Sequence, residues 1–79
     1  MKFNVGDRVR HINPEFAPYG KVGTVVGEMP VYKGYIHVVF DDFTYGHSIV
    51  NLHKGNSGWF AKETNLELYY DKIDLDGLL

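Results

Sequence analysis

The run Val5-Gly6-Asp7-Arg8-Val9-Arg10, taken with the later run Lys21-Val22-Gly23-Thr24-Val25-Val26, constrains this chain more than any other stretch of it. Each is a polar turn feeding β-branched residues, so the two read as the opening strands of a small antiparallel barrel. Gly23 marks a place where the chain must bend or pass close to a neighbour.

Size supports one such unit. A chain of 79 residues has room for a single domain and buries about 60–65% of the surface its unfolded form exposes. It contains no cysteine, so neither a disulfide framework nor a thiolate zinc site staples the core. No apolar run reaches the length of a membrane span, and Met1-Lys2-Phe3-Asn4-Val5 lacks the apolar stretch of a signal peptide, which makes a cytoplasmic location the expectation.

Strand and turn signals alternate along the chain. Arg8 to Ile12 is the first expected strand, with Val9 and His11 on the inward side and Arg8, Arg10 and Ile12 facing out. Asn13 to Gly20 forms a long first loop, since Pro14 and Pro18 remove backbone donors and Asn-Pro and Tyr-Gly are turn formers. Val22 to Glu28 makes the second strand, and Met29 to Gly34 the connection to a third, Tyr35 to Phe40, which alternates Ile36, Val38 and Phe40 against Tyr35, His37 and Val39.

Asp41 to Gly46 reads as a turn, with Gly46 free to take positive φ. Ser48 to Leu52 is the expected fourth strand, and His53 to Gly58 a flexible loop. Trp59-Phe60-Ala61 resumes an extended path, Lys62 to Asn65 suits one helical turn, and Leu66 to Tyr70 closes the sheet with Leu66, Leu68 and Tyr70 facing in. The acidic and apolar tail, residues 71–79, either frays or docks on a second copy to give a homodimer.

This arrangement of five short strands, a long first loop and one helical turn before the last strand resembles the SH3-like barrel. Val5 to Arg10 with Gly20 to Val26 looks like the opening of KOW-type and Mind-bomb-type modules. The same frame is similar to the accessory subunit of photosystem I and to the β-subunit barrel of nitrile hydratase. The likeness spans roughly residues 3 to 70, and implies a stand-alone small module of the bacterial or bacteriophage kind that docks onto something larger. The first loop is longer and more aromatic than the short KOW loop that approaches RNA, and His11 stands where an aliphatic residue is usual, so RNA binding is not carried over.

Charge and chemistry narrow the options further. The net charge is −2, with five cationic against three acidic side chains in residues 1–40 and three against seven in residues 41–79. An acidic chain of this kind releases few counterions from nucleic acid, which disfavours that partner. The four histidines show no spacing that would bring two imidazoles to one ion, so no metal site is expected, nor any cofactor. Ser48 beside His47 and Asp41 beside Asp42 supply reactive types, but strand neighbours point to opposite faces, and no enzyme is expected.

The strongest functional signal is aromatic. Five Phe, six Tyr and one Trp exceed the interior room of a small barrel. Phe3, Phe40, Leu66 and Leu68 fit the core, whereas Phe16, Tyr19, Tyr32, Tyr35, Phe43, Tyr45 and Trp59 lie in or beside loops. The chain is therefore expected to be an all-β, five-stranded SH3-like barrel over residues 1–70, acting as a non-catalytic protein-interaction module. Its anchors would be Phe16, Tyr19, Tyr45 and Trp59, with Arg8, Arg10 and Lys21 as complementary charge at the rim. A nucleic-acid-binding KOW-like barrel and a small-ligand-binding homo-oligomer are the alternatives.

Overall fold

The computed structural model describes residues 2–29, 32–49 and 53–70. Six strands form one antiparallel sheet: β1 (Arg8–His11), β2 (Val22–Glu28), β3 (Tyr35–Phe40), β4 (His47–Ile49), β5 (His53–Lys62) and β6 (Leu66–Leu68), with a 3-10 turn at Glu63–Asn65. Their spatial order is β4-β5-β3-β2-β1-β6. The all-β expectation and the single helical turn before the last strand hold, but there are six strands rather than five. Strand pairing also leaves the sheet open, with β4 and β6 at its edges.

The added strand has a local cause. Polar and Gly-containing residues from His53 to Gly58 read as loop, yet β4 pairs with them through His47↔Gly58 and Ile49↔His53. A ladder partner decides strand formation where intrinsic preference is weak. The expected end of the fourth strand, residues 50–52, lies outside the described residues, as do Pro30 and the tail 71–79.

Alternation places the core. Val9, Val25, Ile36, Val38, Phe40, Ala61 and Leu66 are buried on one face, joined by Phe3 and Phe43. Arg8 and Arg10 face outward as their parity requires. A β-bulge between Val25 and Gly27 shifts the β2–β3 register and bends the sheet around this core. Phe43 corrects the sequence reading: it is 3% exposed and meets Phe40 edge to face at 5.9 Å.

The closing strand also differs. β6 stops at Leu68, and Tyr70 beyond it is 70% exposed. Leu66 is buried, but Leu68 sits opposite Val9 on the outermost strand and is 44% exposed. An edge position gives an inward-pointing side chain neighbours on one side only, which is why the three do not share one buried face.

Gly46 and Gly23 are among the glycines that carry steric requirements. At Gly46 the left-handed conformation expected there is found instead at Asp42, with φ 50°, a residue type that tolerates it; Gly46 itself lies against the carbonyl of Gly58. At Gly23 a Cβ would fall 2.5 Å from the carbonyl oxygen of Val39 and 2.9 Å from Cα of Phe40. Backbone on both counts cannot swing aside. Gly23→Ala is expected to destabilise the domain by about 1–3 kcal/mol, measured by urea denaturation; unchanged stability would show that β2 and β3 can separate without cost.

Candidate functional site

The long first loop is shaped by its own backbone. It is closed by two bonds, His11 N–H to the Lys21 carbonyl at 3.0 Å and Gly20 N–H to the His11 carbonyl at 2.9 Å. Within it, Tyr19 N–H donates to the Phe16 carbonyl at 3.1 Å and Lys21 N–H to that of Pro18 at 2.9 Å. Pro18 is fully buried, which anchors the loop and turns Phe16 and Tyr19 outward.

The loop is then tied to the 3-10 turn. Ile12 N–H donates to the carbonyl of Asn65 at 2.8 Å, and Asn13 Nδ2 donates to Asn65 Oδ1 at 3.1 Å. The turn is held in place from the other side, where Glu63 N–H donates to the Gly34 carbonyl at 2.8 Å. Between these elements opens a cleft of about 290 Å³. Asn13, Glu15 and Phe16 line it from the loop, Tyr35 from β3, Trp59 to Lys62 from β5, Thr64 and Asn65 from the turn, and His11 from β1.

A second hollow of about 380 Å³ adjoins it, lined by Arg10, His11, Ile12, Tyr19 and Gly20. His11 borders both. The expected anchors are thus distributed: Phe16 and Trp59 share the cleft, Tyr19 is in the adjoining hollow with Arg10, and Tyr45 lines neither. Tyr45 is 82% exposed and lies against Phe43 at 6.3 Å. Trp59 is on a strand rather than a loop and meets Phe43 edge to face at 5.9 Å, so it is half-buried and serves the core as well as the cleft.

The cations are largely engaged. Arg8 is ion-paired with Asp41 and donates to Thr24 Oγ1 at 2.8 Å; the hydrogen-bonded Asp41 carboxylate raises its pKa. Arg10 pairs with Glu67 at 2.6 Å. Lys21 is half-buried beside the hollow. Exposed pairs of this kind contribute at most about 1 kcal/mol to stability, but each offsets the charge its arginine offers a partner.

The histidines are drawn into the packing. His11 accepts a hydrogen bond at Nδ1 from Asn13 N–H at 3.3 Å, and its Nε2 has no partner among the described residues. Both ring nitrogens of His37 are buried and have no partner among the described residues, and the ring stacks on Phe60 at 4.6 Å. His47 meets the same Phe60 at 4.5 Å, and Nε2 of His53 is buried with no partner among the described residues. Among the described residues, no group of three or more His, Cys, Asp or Glu side chains could hold a metal ion.

Tyr35, Lys62 and Asn65 complete the cleft without having been singled out as anchors. Tyr35 was legible as an outward position at the start of an alternating strand. Asn65 carried no signal, since its role comes only from the fold.

Residues 1–67, which take in β1 to β5, all but the last residue of β6, and the cleft, match the family profile described as the Xrn1 SH3-like domain. The chain belongs to the Xrn1 SH3-like domain family. No curated protein and no solved structure matches it. Membership supports the SH3-like frame and leaves the nearer likeness to KOW, Mind-bomb, photosystem I and nitrile hydratase barrels without added weight. SH3-like domains act in general as protein-interaction modules and are typically non-catalytic. No helix among the described residues of this SH3-like domain is long and apolar enough to cross a membrane.

Burial lowers the pKa of both His11 and His37, with the neighbouring His47 adding to the effect at His37. The unfolded chain takes up these protons near pH 6.5, whereas the folded domain takes them up only at lower pH. Stability is therefore complete above about pH 6.5 and falls as the pH drops below it, because the unfolded state binds more protons there. Melting temperature is expected to fall between about pH 7.5 and 5.5, and less steeply in His37→Phe. A flat profile in the parent protein would contradict the burial of these rings.

Proposed function

We propose that this SH3-like domain is a non-catalytic protein-interaction module whose partner docks in the cleft between the first loop and the 3-10 turn. The observation that carries the reading is that Phe16, Tyr35 and Trp59, from three separate segments, surround one hollow. Phe16 and Tyr35 are 41% and 37% exposed. Rings that keep such apolar area in water, on a frame rigid enough to hold them in place, lose little entropy when a partner covers them.

Tyr19, 55% exposed, extends the surface into the adjoining hollow, with Arg10 and Lys21 at its rim. Tyr45 and Arg8 stand apart from it. The pairing of Arg8 with Asp41 and of Arg10 with Glu67 supports a protein partner over nucleic acid, since ion-paired guanidinium groups grip phosphates less. The likeness of the opening strands to KOW-type and Mind-bomb-type modules, and a cytoplasmic setting, belong to the same proposal.

A library of random peptides displayed on phage, selected against the immobilised chain, tests the reading. Selected peptides are expected to bind Phe16→Ala more weakly by more than about 1 kcal/mol, and Tyr19→Ala more weakly by a smaller amount, with both variants melting as the parent does. Trp59→Ala is unsuitable alone because it also removes a contact with Phe43. An empty selection, or peptides indifferent to Phe16→Ala, would remove the cleft from the account.

A further inference from the structure

His11 is 1% exposed, on the inward side of β1 beside Val9, and borders both hollows. Its Nδ1 accepts from the Asn13 N–H, which places the single proton of the neutral ring on Nε2. Nε2 is buried and has no hydrogen-bond partner among the described residues. A donor in that position costs folding free energy that no acceptor among the described residues returns.

We propose that His11 is the specificity-determining donor of the cleft: its Nε2–H takes a main-chain carbonyl of an extended partner segment, whose adjacent apolar side chain lies against Phe16 and Trp59. This rests on the interaction-module reading above and names the chemistry that site selects. An uncharged acceptor suits the site, since Glu15 and Lys62 offer opposite charges on its walls and neither sign is favoured. Nε2 is buried, so a ring beside it must turn for the segment to reach it; Phe16, edge-on to the imidazole at 5.8 Å, lines the cleft and turns while staying in contact with the segment's apolar side chain, whereas Phe40 is buried. An amide carbonyl pairs with the donor and recovers the lost hydrogen bond; a purely apolar ligand leaves it unpaired and binds less well.

Phe16 at 5.8 Å and Phe40 at 6.1 Å, both steeply inclined to the imidazole, supply the competing account, in which an aromatic face satisfies the N–H. Titrating the ¹⁵N-labelled full chain with N-acetyl-leucine N-methylamide, up to about 50 mM for so small a ligand, separates the two. The expected result is a saturable downfield shift of the His11 Nε2–H, together with shifts of the Trp59 indole and the Phe16 amide. His11→Asn, which keeps an acceptor near the Nδ1 position and loses the Nε2 donor, is expected to raise the dissociation constant of the probe roughly fivefold. If that variant does not fold, the titration of the parent decides. Shifts at Phe16 and Trp59 with His11 unmoved would overturn the donor role and leave the docking cleft standing. Silence at all three overturns the donor role as well, and the interaction reading fails with it only if the phage-selected peptides are also indifferent to Phe16→Ala.

Discussion

The bonds from Ile12 N–H to the Asn65 carbonyl and from Asn13 Nδ2 to Asn65 Oδ1 join the first loop to the turn before the last strand. They set the width of the cleft. Without that joint, Phe16 would ride on a loop attached only at its base, and Trp59 and Tyr35 would face open solvent with nothing opposite them. Asn65 supplies two acceptors at one residue, a main-chain carbonyl and a side-chain oxygen, so the loop is fixed in orientation as well as position. A recognition surface made of rings from several segments needs a fixing of this kind, because each ring's contribution depends on its spacing from the others.

The core that carries this joint is small and depends on alternation. Val9, Val25 and Val38 have no exposure, and each contributes a stiff β-branched side chain to the inner face of a different strand. Gly23 lets β2 run close against β3, and the bulge beyond Val25 shifts the β2–β3 register and bends the sheet around the core. The aromatic surplus then divides: Phe3, Phe40 and Phe43 fill the interior, Trp59 bridges interior and cleft, and the remaining rings keep substantial exposed area.

Much of this frame was legible in the sequence. β2 and β3 coincide with the expected Val22 to Glu28 and Tyr35 to Phe40, since period-two alternation bounded by turn residues is a local signal. The inward parity of Val9 and His11 followed from the same rule. The start of β5 did not, because Gly55, Asn56, Ser57 and Gly58 have low strand preference and only pairing with β4 draws them into the sheet. The placement of Phe43 was missed for a related reason: a ring in a turn gives no period from which to infer its direction. The cleft itself was half legible. Phe16 and Trp59 could be named as anchors, but that they share a hollow with Tyr35 and Asn65, while Tyr45 does not, is a property of the tertiary arrangement.

One edge of the open sheet is β6, of three residues, with Tyr69 and Tyr70 already outside the ladder. An edge so short offers an incoming chain few main-chain groups to pair with, which guards against stacking of one sheet on that margin of the next. It also restricts how this domain holds another protein there. A visitor at β6 cannot lengthen the sheet by many rungs, so on that side grip and selectivity come from what the side chains display across the face rather than from the margin of the ladder.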